Sequence, residues 1–326
     1  MNKATQHLID TFGSQIQARL HVSHKDVEII VRKAIEGSEC DVEGFERWLN
    51  ERLLPNCVLI DEIGYTKMCV NALKILDNTA ATDYGSSRQR DLGQLWADMT
   101  RGYLGEYAFK LFLAEHSGLE AKLGHDMGDL DDFLPTDIHL IREKQTDTPY
   151  RTPKLNISIK TSKWNGIWLD IPGNQFQHSD AHVFVKVGTG RDHLFAFFKH
   201  ISVFKDKVLR RGQEVGSLTA EESDRLFDAL PSFQPIPAYI CGFVWRDALY
   251  ADLPYQGKAG RKNYTITHWN GPINVGDIAR IKDEEHVAGQ VKFEGIGSFS
   301  HEKGYLFNTG SLLWRDSDWQ KLFEQL

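Results

Sequence analysis

A segment in the middle of the chain alternates strictly between apolar and polar residues, reading Leu155-Asn156-Ile157-Ser158-Ile159-Lys160-Thr161-Ser162. Successive side chains of a β-strand point to opposite faces of its sheet, so this pattern predicts a strand with one buried and one polar face. Ser158 and Lys160 fall on the polar face. We therefore place a core strand here and interpret the flanking sequence relative to it.

A second strand is predicted shortly before this one, from Thr136 to Ile141. A polar, proline-containing connection over residues 142–154 separates the two. If the strands form a hairpin, the carboxylate of Asp137 and the ammonium of Lys160 meet on one polar face. The pair is then a candidate for chemistry at the sheet surface.

A long helix is predicted ahead of both strands, over residues 88–115. Glu106 falls on its apolar stripe, and a carboxylate on a core-facing stripe needs a cationic partner or a metal ion. Gly102 and Gly105 flank Glu106 and are poor helix formers. We expect these glycines to let another backbone approach the helix closely.

Simpler interpretations of the same three residues stay open at this point. Asp137 could be a turn residue at the start of a strand, and Lys160 a lysine that protects an edge strand from aggregation. Glu106 could form an ion pair with Arg101 or Lys110 on its own helix.

Composition excludes several classes of protein. The 326 residues are 41% hydrophobic and 25% charged, values that are ordinary for a globular chain and sufficient for two domains. No apolar run approaches the ~18 residues that cross a bilayer, so no membrane partner is expected. Four scattered cysteines without a CxxC pair favour a reducing compartment, and we expect a cytoplasmic protein. The net charge of -7 argues against binding nucleic acid by bulk charge, but not against a nucleic-acid enzyme with one basic cleft.

Changes in composition and in hydrophobic periodicity divide the chain into three expected parts. Residues 1–90 are predicted to be mostly helical, residues 91–250 to form an α/β core, and residues 251–326 to be β-rich. Within the core, further strands are predicted at 182–187, 194–198 and 238–245, with a helix at 220–230 for which Thr219 is the N-cap.

An aspartate, a glutamate and a lysine on strand, helix and strand suggest one kind of chemistry. Mg²⁺ prefers carboxylate oxygens, water and substrate phosphate as ligands. Such a metal acidifies a water and offsets charge on a phosphoryl group, and an adjacent lysine can orient or deprotonate that water. Other systems lack support, since no HExxH, GxSxG or strand-to-helix GxGxxG is present.

The chain here resembles the PD-(D/E)xK nuclease superfamily, whose members have a restriction-endonuclease-like fold. The matching motifs are a helix, a strand start and a second strand: Gly102-Tyr103-Leu104-Gly105-Glu106-Tyr107, Pro135-Thr136-Asp137 and Ser158-Ile159-Lys160-Thr161-Ser162, followed by Asp180-Ala181-His182-Val183-Phe184-Val185 as the next core strand. The resemblance covers roughly residues 90–200 and implies a mixed β-sheet core flanked by helices.

The resemblance also implies roles for individual residues. Asp137 would be the central metal ligand, Lys160 the catalytic lysine, and Glu106 the helix carboxylate that completes or orients the metal shell. The backbone carbonyl of Ile159 would be a further ligand. The implied cofactor is Mg²⁺, for which Mn²⁺ could substitute.

Ser158 departs from the family pattern, because an acidic residue usually stands at this place. Some restriction enzymes also have serine there and supply a glutamate from the following helix, but the corresponding region here reads Gly173-Asn174-Gln175. The second carboxylate would then be Glu106 or Asp170, although Asp170 by itself is more typical of a loop carboxylate. The number of metal ions therefore stays open.

Candidate DNA contacts come from two places. Lys163, Gln175 and His178 follow the lysine strand within a basic middle third of the chain. The second place is the segment Gly257–Tyr264, which we interpret as a loop that enters a DNA groove. Its candidates are Lys258, Arg261, Lys262 and Asn263, because arginine and asparagine are the side chains that bind guanine and adenine edges.

These observations predict a Mg²⁺-dependent DNA endonuclease, with a sequence-specific type II restriction enzyme as the first choice. Large additions around a small core suit sequence-specific binding, and a homodimer would match a palindromic site on double-stranded DNA. Two alternatives are a repair or mobile-element nuclease that recognises DNA structure, and a catalytically inactive DNA-binding protein of the same fold. The motivation for the last is Ser158.

Overall fold

The computed structural model describes most of the chain as a mixed α/β protein. It covers residues 3–35, 41–75, 91–124, 136–144, 148–166, 168–172, 178–190, 192–249, 255–259, 262–266, 291–293, 297–299 and 304–326. Within these ranges the structure contains nine α-helices around a mixed sheet of four strands.

The helices in chain order are α1 Lys3–Leu20, α2 His24–Ala34, α3 Val42–Arg47, α4 Glu62–Lys74, α5 Leu92–His116, α6 His193–His200, α7 Arg210–Glu214, α8 Ala220–Ala229 and α9 Asp316–Phe323. π-helical segments, Trp48–Leu53 and Phe204–Leu209, follow α3 and precede α7. None of the helices in the described ranges combines the length and apolar character that a membrane crossing requires.

The strands are β1 Cys57–Ile60, β2 Leu119–Leu123, β3 Ile138–Glu143, β4 Ile157–Lys163, β5 Trp168–Pro172, β6 Ala181–Val187, β7 Ile236–Trp245, β8 Tyr255–Ala259, β9 Lys262–Ile266, β10 Val291–Phe293, β11 Gly297–Phe299 and β12 Gly304–Asn308. The central sheet has the order β1-β7-β6-β4, in which β4 and β6 are parallel and the other neighbours antiparallel. The remaining strands form the antiparallel pairs β2–β3, β5–β12, β8–β9 and β10–β11.

The strand β4 has the two faces that its alternation predicts. Ile157 and Ile159 are buried in a core shared with α4, α5, α9 and the β2–β3 pair. The other face of the sheet is covered by a second core, to which α1, α2, α3 and the β5–β12 pair contribute. The structure is thus three-layered, with the sheet between two groups of packed elements.

The helix α5 packs on β4 through a glycine. A Cβ atom on Gly105 would overlap the Thr161 Oγ1 atom, so only glycine fits at this contact. The Thr161 hydroxyl donates a hydrogen bond of 3.3 Å to the Gly102 carbonyl oxygen one turn earlier. The expected close approach therefore occurs, but through the side chain of Thr161.

Two sequence-based predictions of local structure are wrong. Among the described residues the strand β3 pairs with β2 and not with β4, so a β3–β4 hairpin does not form; Thr136 and Asp137, just before β3, form hydrogen bonds with β4. Residues 194–198 belong to helix α6, with Ala196 and Phe197 buried and Phe195 exposed. A short apolar run is compatible with a strand and with a helix, and the side-chain packing of these residues favours the helix.

The boundaries of the three expected parts do not coincide with the boundaries of the packed core. β1, from the N-terminal region, pairs with β7 at one edge of the central sheet. From the C-terminal region, β12 pairs with β5, and Trp319 and Leu322 of α9 are buried in the core beside α5. Both terminal regions therefore help to build the core.

The Gly105 contact generates a testable prediction. Gly105→Ala should lower the free energy of unfolding by about 1–3 kcal/mol, because the added methyl group overlaps Thr161. Gly102→Ala is the matched control, since no atom lies within 4 Å of the position that its methyl group would take and alanine is the better helix former. Urea unfolding of both variants checks this; equal stability of the two would show that α5 and β4 do not pack as described.

Candidate active site

Asp137 is fixed against the outer edge of β4. Its backbone N–H donates to the Ile157 carbonyl oxygen at 3.0 Å, and its carboxylate Oδ2 accepts a hydrogen bond from the Ile159 N–H. The Thr136 hydroxyl accepts from the Ile157 N–H at 3.1 Å. β4 is an edge strand of the four-stranded sheet, and these bonds satisfy part of its otherwise unpaired edge. The carboxylate is thereby positioned beside the residue that precedes Lys160.

The ammonium of Lys160 is under the electrostatic influence of three carboxylates. Burial lowers the pKa of its ammonium, while the negative charges of Asp137, Glu106 and Asp170, in that order of strength, act to raise it. Burial is the largest effect, so the pKa is below its ordinary value. The charges of Asp137 and Glu106, which the sequence singled out, therefore both act on the lysine, as does that of Asp170, which the sequence offered as the alternative second carboxylate.

Glu106 and Tyr103 approach this group from helix α5. Glu106 is half-buried, one residue after the glycine that contacts Thr161. Burial raises the pKa of the Tyr103 hydroxyl, and the charges of Glu106 and Asp137 raise it further. Arg101, one of the alternative partners of Glu106, forms an ion pair of 3.0 Å with Asp98.

Asp170 is a strand residue, although the sequence favoured a loop carboxylate at this position. It lies in β5 opposite Leu306 of β12, between Leu169 and Ile171, whose side chains are buried in the second core. Burial raises the pKa of its carboxyl to about 7, and Lys160 acts in the opposite direction. Its Oδ1 atom is buried and has no hydrogen-bond partner among the described residues.

The sequence around Asp170 contains a signal for this placement. Trp168-Leu169-Asp170-Ile171 alternates as a short strand does, and a single carboxylate in such a segment needs a partner. The partner strand β12 lies more than a hundred residues later, and local patterns do not reveal such pairing.

Ser158 and Ile159 occupy the positions on β4 that the family resemblance assigned to them. Ser158 is buried and in register with His182 of β6, on the same face as Lys160. The N–H of Ile159 points to the edge where Asp137 lies. The N–H and C=O of one strand residue point to the same edge, so the Ile159 carbonyl oxygen also faces Asp137.

The oxygen atoms at this edge are the ligand type that a hard divalent cation prefers. Within the described ranges, no three His, Cys, Asp or Glu side chains are placed to hold a metal ion together. Mg²⁺ is commonly held by one or two carboxylates, with water and substrate phosphate as the other ligands. The orphaned Asp170 Oδ1 and the carboxylates around Lys160 fit that smaller requirement.

The candidate DNA contacts lie on several different elements of the structure. Lys163 is exposed at the end of β4, and His178 is exposed just before β6. Lys258, Lys262 and Asn263 lie in the β8–β9 pair, with Lys258 opposite Asn263. The expected loop over Gly257–Tyr264 is therefore mostly strand. Gln175 and Arg261 lie outside the described residues.

Comparisons of this chain with protein-family models, with curated proteins and with solved structures gave no match. The chemistry of the site therefore has to be inferred from its own geometry.

The buried Asp170 should make stability depend on pH in a defined direction. Its pKa is about 7 in the folded state, against about 4 in the unfolded state, so ionisation favours unfolding as pH rises from 4 to 7. Asp170→Asn removes this effect, and we expect the variant to gain about 4 kcal/mol on the wild type between pH 4 and 8.

Urea unfolding in EDTA across this pH range measures the effect, with Asp206→Asn as an exposed control on the π-helical segment before α7. A stability difference between wild type and Asp170→Asn that stays constant with pH would contradict the placement of Asp170.

Proposed function

We propose that this protein is a divalent-cation-dependent DNA endonuclease of the PD-(D/E)xK type. The observation that carries the proposal is the charge balance around Lys160, where the influence of three carboxylates meets one ammonium group. A purely structural ion pair needs one carboxylate for each lysine, since every further buried carboxylate costs free energy. Excess negative charge on oxygen ligands is what a divalent cation offsets.

The order of the elements supports the same proposal. A helix with Glu106, a strand start with Asp137, the lysine strand β4 and the parallel strand β6 follow each other as in that superfamily. Asp170 would replace the acidic residue that is missing at Ser158. A carboxylate from β5 serves as well as one from β4, provided that it reaches the same ammonium group.

Asp137 together with either Glu106 or Asp170 would hold the cation, with the Ile159 carbonyl oxygen at the same edge as Asp137. When bound, it would supply Lewis acidity toward a water and toward a non-bridging phosphate oxygen. The other residues orient the reactants.

Lys160 would bind the attacking water and take its proton. The lowered pKa of Lys160 makes its neutral amine more accessible than that of an exposed lysine. The water oxygen forms the new bond to phosphorus while the bond to the leaving sugar oxygen breaks, and that oxygen takes a proton from solvent. The rate should therefore rise with pH up to the pKa of Lys160.

The inactive DNA-binding alternative depends on Ser158, and Asp170 weakens its motivation by offering another carboxylate. The homodimer and the type II restriction activity stay predictions of the resemblance.

Digestion of plasmid and phage DNA tests the proposal. The wild type should cut in Mg²⁺ or Mn²⁺ and not in EDTA. Lys160→Ala and Asp137→Asn should lower the cutting rate at least about 100-fold. Asp137→Asn keeps a hydrogen-bond acceptor for the Ile159 N–H. Lys154→Ala is the matched control, because Lys154 is an exposed lysine just before β4, and this variant should cut DNA at the wild-type rate.

Cutting that survives both substitutions would overturn the site assignment. If no version cuts, but the wild type binds DNA without metal, the binding-protein alternative gains support in place of the nuclease.

A further inference from the structure

A cleft of about 890 Å³ opens at the carboxyl ends of the parallel strands β4 and β6. Lys163 and Trp164 line it from the end of β4, and residues 188–190 from the end of β6. Helix α2 and the first half of α5 form the opposite walls. Crevices at the carboxyl ends of parallel strands are common ligand sites in α/β sheets.

The walls of the cleft carry more cations than anions. Lys25, Arg32, Arg101 and Lys163 line it, against the two acidic residues Asp26 and Asp192. Three of the four cations, all except Arg101, form no ion pair within the described ranges. Arg101 binds Asp98 through Nη1, while its buried Nε has no hydrogen-bond partner there. This excess of positive charge differs from the whole chain, whose net charge is -7.

Two tryptophans also line the cleft, Trp96 from α5 and Trp164 after β4. Trp164 stacks on Tyr239 and Trp96 on Phe198, so both rings are held in fixed positions. Buried polar atoms in the same wall, Trp164 Nε1 and Thr189 Oγ1, have no hydrogen-bond partner among the described residues. Cations together with fixed aromatic rings in a concave site are typical of proteins that bind single-stranded nucleic acid.

The cleft and the active site share two elements. Arg101 precedes Glu106 by five residues on α5, about 7.5 Å along the helix axis. Lys163 follows Lys160 by three residues on β4, about 10 Å along the strand. Residues three apart on a strand project from opposite faces, so a DNA strand with its scissile phosphate at Lys160 would pass around the carboxyl end of β4 to place a following nucleotide in the cleft.

We infer that this cleft binds unpaired nucleotides next to the scissile phosphate, so that the enzyme prefers DNA with a single-stranded segment at the cut. The inference rests on the proposed nuclease function. A base inside a duplex is stacked on its neighbours and has no free face for Trp164, whereas an unpaired base has one. The substrate class is then branched, gapped or tailed DNA.

Binding and cutting separate the two proposals. Fluorescence anisotropy in EDTA compares a blunt duplex, the same duplex with a single-stranded tail, and the tail alone; the tailed duplex should bind about tenfold tighter than the blunt one. Lys163→Ala should remove most of that difference. In a plot of log K for binding against log salt concentration, this variant should also reduce the steepness of the slope by about one. Lys67→Ala, an exposed lysine on α4 outside the cleft, should change neither.

Trp164 is tested with two variants, because its ring also packs against Tyr239. Trp164→Phe keeps an aromatic face and should retain the preference for the tailed duplex. Trp164→Leu should bind the tailed duplex about tenfold more weakly, while its affinity for the blunt duplex stays unchanged. Cutting of the same substrates in Mg²⁺ is then measured.

Equal binding and equal cutting of blunt and tailed duplexes would overturn the inference and leave the nuclease proposal standing. A tail preference that depends on Lys163, without cutting in any metal, would support the cleft and overturn the nuclease proposal.

Discussion

The free edge of β4 is the constraint on which the candidate site depends. An edge strand exposes unpaired N–H and C=O groups, and here the segment Thr136–Asp137 binds part of that edge. The same hydrogen bonds that satisfy the strand fix a carboxylate one residue away from Lys160. One set of hydrogen bonds thus satisfies part of the strand edge and also positions the carboxylate. The position of Asp137 follows from the alternation of outward-facing N–H and C=O groups along β4.

Burial of charge is the second constraint. Its cost in free energy distinguishes a group of charges kept for function from one that stabilises the fold. Isolated ion pairs that are buried contribute little to stability, because desolvation offsets their attraction. At Asp170 burial outweighs the attraction of Lys160 and raises the pKa of the carboxyl. Perturbed groups of this kind concentrate at functional sites. In the proposed function, a bound divalent cation would supply positive charge beside these carboxylates.

The sequence predicted the local elements of the core better than their partners. Alternation and helical spacing located β4, β6, β7, α5 and α8, and the capping box that begins at Thr219 marks the start of α8. Strand pairing depends on packing between distant segments, so the pairing of β3 with β2, and the places of β1 and β12, were not predictable from local patterns. Among the candidate site residues, Asp137, Lys160 and Glu106 were selected from residue type and periodicity. Asp170 stayed only an alternative because its position depends on β12.

The placement of Asp170 changes how the C-terminal region is understood. A shift of β5 by one residue would exchange its two faces and turn Asp170 toward the second core, where Leu169 and Ile171 now lie. The β5–β12 register, in which Asp170 lies opposite Leu306, therefore helps to determine the electrostatics of the site. Helix α5 has a comparable double role, because it carries Glu106 toward Lys160 and Arg101 into the cleft. The tight packing of Gly105 on Thr161 fixes the rotation of α5 relative to β4, and with it the positions of both side chains. The site and the cleft are thus set by the same contact between one helix and one strand.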